Sequence, residues 1–475
     1  MADTTHPFWI GGRYKTSDCR WTVTSPYNQT EVGTTFLATA SDIEEAIRAA
    51  VSAFEITRRV PSYQRAEWLH RIATGLGERQ NAFARMIVLE SGKPIVDARR
   101  EVLRAMLTFQ AASEEAKRMG GEVLPLDWMA GSEGCMGITR RFPIGPIVGI
   151  TPFNFPLNLV AHKIAPALAS GNTILLKPAP QAPLTALLLS EVIAASGTPP
   201  GAVSIFLCEN ALAEHGVQDA RIKMLTFTGS GSVGWALKAR VPKKRVVLEL
   251  GGNAAAIIHT GADIAHAAGR CAMGGFAYAG QTCISVQRIF VHEEYYATFC
   301  DRLCAHSETF KPGDPLDEAT TLSPMIHENA AKRAEAWIQE AASAGAKILA
   351  GGKRLGSVVF PTVLTETTPS MKINCEEIFA PVVTVTPYTQ FDEALSCVNR
   401  SAYGLQAGLF ASNMQDIFHA FERLEVGGMI VNDVPTYRME HMPYGGIKES
   451  GFGREGIKYA IEEMTELKLM ALRLR

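Results

Sequence analysis

Between residues 144 and 250, short apolar runs alternate with stretches of helical periodicity. Residues 144–151, 173–177, 203–207, 225–228 and 246–250 read as buried strands. Residues 157–170, 183–196 and 232–240 read as the helices between them. Strands alternating with helices of about a dozen residues imply parallel βαβ units, whose ligands bind beyond the carboxyl ends of the strands. A second set follows, with helices at 263–277 and 294–308 and strands at 288–292, 346–350, 380–388 and 408–410. The predicted class is therefore α/β, with two parallel-sheet units.

The flanks read differently. Residues 8–40 suggest short strands, with a hairpin at 8–13 and a turn at 26–28. Residues 42–117 are helical in pattern, with Asp42, Pro61 and Asp97 as start signals. Residues 463–474 alternate and predict an exposed strand, which invites pairing with another chain.

Composition narrows the function classes. A chain of 475 residues exceeds one ordinary core, so two or three domains are expected. Its 46 basic and 48 acidic residues leave a net charge of −2, no electrostatic reason to expect nucleic acid or an anionic membrane. The apolar stretch 157–189 is broken by His162, Lys163, Asn172, Lys177 and four prolines, so it is no membrane span. The start lacks the basic and apolar regions of a signal peptide, and a cytoplasmic protein is expected. The nine cysteines show no C-x-x-C and no zinc spacing, so no metal is expected. Cys300 and Cys304, one helical turn apart, read as packing residues. The sequons at Asn28 and Asn399 carry no meaning without secretion.

Two residues stand out against this background. Cys283 lies in Ala-Gly-Gln-Thr-Cys-Ile, surroundings that give a core cysteine no apolar reason to be there. Glu249 sits inside the apolar run 246–250, a costly place for a carboxylate. A thiolate nucleophile and a carboxylate base can make and then hydrolyse a thioester. Other breaks in the pattern are weaker alone. Residues 229–234 spell G-x-G-x-x-G between a strand and a helix, which suits a pyrophosphate or is simply a turn. Lys177 ends a strand where it can reach ribose hydroxyls. Asn154, in Phe153-Asn154-Phe155-Pro156, can donate to an oxyanion.

Taken in order, Phe-Asn-Phe-Pro, Lys-Pro-Ala, Phe-Thr-Gly-Ser, Glu-Leu-Gly-Gly, Gly-Gln-Thr-Cys, Glu-Glu-Ile-Phe-Ala-Pro-Val and Pro-Tyr-Gly-Gly-x-Lys-x-Ser-Gly resemble the aldehyde dehydrogenase superfamily across essentially the whole chain. The resemblance implies the roles that follow. Cys283 attacks the aldehyde, with the oxyanion held by Asn154 and the Cys283 amide. Glu249 activates the water that releases the acid, and Lys163 supports it. Lys177 and Glu377 hold the two riboses, Phe379 lies near the nicotinamide, and Ser230 binds the pyrophosphate. Ile150, Thr151, Pro152, Gly229, Val233, Leu250 and Gly251 complete the cofactor set. Many members that choose NAD carry Glu three residues after the cofactor lysine. Here Pro180 stands in that place, and no arginine replaces it. NAD is expected, with NADP not repelled.

The resemblance also implies organisation: a dinucleotide-binding domain from 1–121 and 144–250, a catalytic domain from 251–445, and an oligomerisation element from 122–143 and 460–475. A homodimer or homotetramer follows. For the substrate, it places His162, Arg100, Arg104 and Arg438 around a tunnel that is usually aromatic or apolar, beside Phe155, Thr282, Ile284 and Tyr444. Segment 432–439 resembles that of phosphonoacetaldehyde and lactaldehyde dehydrogenases. A small polar, anionic aldehyde is the expected substrate. Lactaldehyde-, glyceraldehyde- or succinate-semialdehyde-type substrates are alternatives, as is CoA-acylating chemistry, against which Glu249 argues.

Overall fold

The structure is a computed structural model that describes residues 5–473. Residues 1–4 and 474–475, which include the ends of the expected N-terminal domain and C-terminal strand, lie outside the described residues.

An eight-stranded sheet runs in the order Arg13–Lys15, Phe8–Ile10, Val203–Ile205, Thr173–Lys177, Pro146–Ile150, Met224–Thr228, Arg245–Glu249, Gly451–Phe452. Its five central strands are parallel. From Pro146–Ile150 the chain winds outward first to one side and later, through Met224–Thr228, to the other. Their carboxyl ends therefore diverge into a crevice, the usual ligand position in a doubly wound sheet. The fully buried helix Asn158–Ser170 covers this sheet. Chain order alternates the two sheets only partly, since Gly451–Phe452 returns to the first after the second is complete.

The second sheet has seven strands: Lys347–Ala350, Thr362–Thr365, Val382–Tyr388, Arg288–His292, Ala255–Ile258, Gln406–Phe410 and Gly428–Val431. Only Lys347–Ala350 is antiparallel to its neighbour. A separate three-stranded antiparallel sheet joins Val123–Pro125, Cys135–Pro143 and Thr465–Arg473. Leu467, Leu469 and Met470 are exposed on its C-terminal strand.

Several expectations need correction. Thr39, not Asp42, caps the first helix. Its hydroxyl accepts from the Asp42 amide while the Asp42 carboxylate accepts from the Thr39 amide, a capping box. Helix Ile95–Glu115 starts after Pro94, with Asp97 in its first turn. Strand Ala255–Ile258 and helix Glu328–Ser343 were not anticipated. The strand is too short to show a period, and the helix buries mainly Ala331, Ala334, Ile338 and Ala341, whose small side chains give a faint apolar stripe. Among the described residues no helix is long and apolar enough to cross a membrane, and no His, Cys, Asp and Glu cluster could hold a metal.

Candidate active site

A cavity of about 510 Å³ opens at the crevice between the sheets. Cys283, Glu249 and Asn154 all line it. Each reaches it from a different element: Glu249 ends the strand Arg245–Glu249, Asn154 follows Pro146–Ile150, and Cys283 follows the one-turn helix Ala277–Gly280. Tyr278 and Ala279 hold left-handed backbone with φ of 48° and 51°. Such strain in non-glycine residues persists only where surroundings enforce it. Gln281 does so here, donating to the Pro324 carbonyl at 3.2 Å and accepting from the Ile326 amide at 2.8 Å.

The Cys283 Sγ lies 3.0 Å from the Tyr444 hydroxyl. Burial pushes the thiol up to about 12, and the bond to Tyr444 pulls the other way. At rest it is a thiol that needs a base. Neither carboxylate oxygen of Glu249 has a hydrogen-bond partner. Burial first, and the neighbouring Glu455 carboxylate second, raise its pKa well above the ordinary value. Gly445, at φ +153°, packs so close that a Cβ there would stand 2.9 Å from Glu249 Oε1. Asn154 Nδ2 donates to the Gln281 carbonyl at 2.9 Å, which leaves its second N–H for another acceptor.

Behind these groups lies a set of buried charges, of which Lys163 and Arg438 were expected at the site and Glu455 was not. Lys163 donates to Glu455 and to Thr226, each at 3.1 Å. Arg438 donates to Glu455 Oε2 at 3.3 Å and stacks on Tyr444, its guanidinium carbon 3.8 Å from the ring centroid. Burial works against the Glu455 charge, yet Lys163 and Arg438 hold its carboxyl down at about 2. For Arg438, burial is likewise outweighed, by the Tyr444 phenol and the carboxylates of Glu455, Glu440 and Glu249, which keep it protonated. Its Nε is buried without a partner.

A second buried pair frames the loop at Asn154. Lys93 pairs with Glu101 and donates to the Asn154 carbonyl at 2.7 Å. Glu101 Oε1 accepts from the amides of Leu157 and Asn158 at 2.9 and 3.2 Å, so it caps helix Asn158–Ser170. Lys93 also lies over the rings of Phe155 and Tyr278. Nothing in residues 90–101 marks this pair, since its partners are distant in the chain.

The expected substrate residues separate. Phe155, Thr282, Ile284, Arg438 and Tyr444 line the cavity. Arg104 lines it too, but its Nε donates to Glu440 at 2.6 Å, which offsets its charge. Arg100 lies at the mouth, largely exposed and paired with Asp97. His162 is a correction. It does not line the cavity; it is fully buried behind Arg438, with Nε2 hydrogen-bonded to Glu440. Burial, and then the nearby Arg438 charge, lower its pKa.

The residues expected to hold a dinucleotide form a cradle that fits one. Pro152, Gly229, Ser230, Leu250, Gly251, Glu377 and Phe379 line the same cavity. Helix Gly231–Arg240 begins at Ser230 with no side chain capping it, so its first amides face the crevice ready for phosphate. Gly251 lets Glu377 approach closely, since a Cβ there would stand 2.2 Å from Glu377 Oε2 and displace that carboxylate. Glu377 accepts from the Gly252 amide at 3.0 Å, and burial raises its pKa to about 7. Lys177 ends its strand, is buried, and has its pKa lowered by that burial. Ile150 ends the strand Pro146–Ile150, Thr151 follows it, buried, and Val233 stands in the first helical turn, half exposed; these three and Lys177 do not line the cavity.

A model of the aldehyde dehydrogenase family matches residues 14–470. The chain is 43% identical over 467 residues to 3-sulfolactaldehyde dehydrogenase of Priestia megaterium, covering 98% of each. It superposes on aldehyde dehydrogenase 21 from Physcomitrella patens, solved with the reaction product succinate, at a TM-score of 0.97 and 42% identity, over 100% of this chain and 99% of that one. NADP-dependent glyceraldehyde-3-phosphate dehydrogenase from Bacillus halodurans, solved with NADP, gives 0.96 and 32%, over 99% and 100%. With this geometry and this coverage, the chain belongs to the aldehyde dehydrogenase family, as an NAD(P)-dependent oxidoreductase acting on the aldehyde group.

Proposed function

We propose that this enzyme oxidises a short aldehyde bearing a terminal anion to its carboxylic acid, releasing the product by hydrolysis. The observation that carries the anion is Arg438: a buried guanidinium at the wall of the Cys283 cavity, with Nε unpartnered. A substrate carboxylate or sulfonate at this wall would meet the Arg438 guanidinium and be bound by a charge-assisted hydrogen bond. The sulfonated substrate named for the Priestia relative and the succinate bound to the Physcomitrella enzyme agree with this reading.

Chemistry would run as follows. Cys283 Sγ attacks the aldehyde carbon as its proton passes to Glu249 and on to solvent, which restores the Glu249 carboxylate before hydrolysis. The carbonyl oxygen becomes an oxyanion held by the free N–H of Asn154 and by the Cys283 amide. The nicotinamide cofactor, when bound in the cradle, supplies the hydride acceptor. Glu249 then takes a proton from a water that attacks the Cys283 thioester, giving the acid and the free thiol. Lys163 and Arg438 keep Glu455 ionised, and Glu455 in turn keeps Glu249 a strong base.

The test is a cofactor-reduction screen over short aldehydes ending in carboxylate, sulfonate, phosphonate, phosphate, hydroxyl or methyl, with NAD and NADP in parallel and without CoA. Preference for an anionic member in the absence of CoA supports the reading. Preference for the methyl compound, or an absolute need for CoA, removes it.

A further inference from the structure

A second cavity, of about 350 Å³, lies away from the catalytic crevice and is lined by six cations: Arg58, Arg59, Arg65, Lys117, Arg140 and Arg141. No carboxylate lines it among the described residues. In a chain with two more acidic than basic residues, such segregation is not the background composition. Most of these charges are also unneutralised. Arg58 and Arg59 share one exposed carboxylate, Glu55, at 3.3 and 3.4 Å. Arg141 donates only to neutral oxygens, the Glu462 carbonyl and the Thr465 hydroxyl, both at 3.3 Å. Arg65, Lys117 and Arg140 make no ion pair among the described residues.

Arg65 is the most telling. It is only part-exposed, and its Nε is buried without a hydrogen-bond partner. A guanidinium removed from water without an acceptor costs free energy that the fold does not return. Helix Ser62–Glu78 starts beside it at Pro61 with no side chain capping its first turn, which adds unsatisfied amides and the positive end of a helix dipole. The cavity is thus built from charge-assisted and backbone donors converging on one space.

We infer that this cavity is a binding site for a multivalent oxyanion, a phosphate or diphosphate group. The forked donors of Arg65 and Arg140 suit its tetrahedral oxygens bidentately. The walls come from four parts of the chain: residues 58–65, the exit of helix Ile95–Glu115, Arg140–Pro143 on the strand paired with Thr465–Arg473, and Ser170 at the end of helix Asn158–Ser170. An occupant would therefore tie the three-stranded sheet to the helical layer of the first domain, and its binding would raise thermal stability.

The experiment is calorimetric titration of the full-length enzyme, with and without saturating NAD, because NAD fills the catalytic cradle but carries a diphosphate of its own. Pyrophosphate, orthophosphate and glucose 6-phosphate are compared at matched ionic strength, with thermal unfolding in parallel. The wild type should bind at one site per chain and melt higher, and Arg65→Gln and Arg140→Gln should each weaken binding about tenfold. Arg140 is exposed, so its variant keeps the test valid if Arg65→Gln folds poorly. Tighter binding of the two inorganic anions identifies a free phosphate as the ligand, and tighter binding of the sugar phosphate a phosphorylated metabolite. No binding at millimolar concentration, or equal binding by wild type and Arg140→Gln, overturns the assignment.

Discussion

The Tyr444 hydroxyl stands 3.0 Å from the Cys283 sulfur, while Arg438 covers the Tyr444 ring at 3.8 Å. One aromatic residue thus joins the nucleophile to the candidate anion receptor. The cation over the ring makes the phenol a better donor, and the donor favours the thiolate over the thiol. Replacing Tyr444 with Phe keeps the ring and removes the donor. Acylation, read as the pre-steady-state burst of cofactor reduction, should slow about tenfold, the effect of one lost hydrogen bond to a charged group. An unchanged burst rate would mean that the hydroxyl does not act on the sulfur.

Glu249 should govern deacylation and its pH dependence. Its folded pKa is raised by burial and by Glu455, and only the carboxylate accepts a proton from water. Turnover should therefore fall as pH drops through that raised value and recover above it. Glu249→Gln should cut deacylation by about 100-fold or more, flatten that limb, and let the acyl-enzyme build up for detection by mass spectrometry. Normal turnover with no trapped adduct would assign the base elsewhere.

Lys93 and Glu101 make a stability prediction. Both side chains are about 1% exposed, so removing one leaves the other charged, buried and unpaired. Lys93→Met should destabilise the protein by about 3 kcal/mol, seen as a lower midpoint in urea. It should also lower kcat, because Lys93 fixes the Asn154 carbonyl. A midpoint within error of wild type would show that water reaches the pair.

The alternation of strands and helices exposed both sheet units in the sequence, because buried parallel strands are continuous apolar runs. Glu249 was legible as a charge inside such a run, Cys283 as a cysteine among Gly280, Gln281 and Thr282 with no apolar reason to be there, and Asn154 as an amide just past a strand end. The charges that tune them were not. Glu440, Glu455, Lys93 and Glu101 meet partners far away in the chain, and burial of a charge leaves no local period. His162 illustrates the converse: the resemblance placed it around the tunnel, whereas the buried helix Asn158–Ser170 turns it behind Arg438 toward Glu440. Arg104 was legible as a cation but not as one already offset by Glu440.

The most direct test of the account compares kcat/KM for succinate semialdehyde and for butanal, of equal chain length, in wild type and Arg438→Leu. The wild type should favour the anionic aldehyde, and the variant should lose about tenfold or more of that preference, read as the ratio of the two substrates so that any loss through Glu455 and Tyr444, which falls on both alike, cancels. An Arg438→Leu enzyme that keeps the wild-type ratio would contradict the anion-binding role of Arg438 and the substrate class built on it.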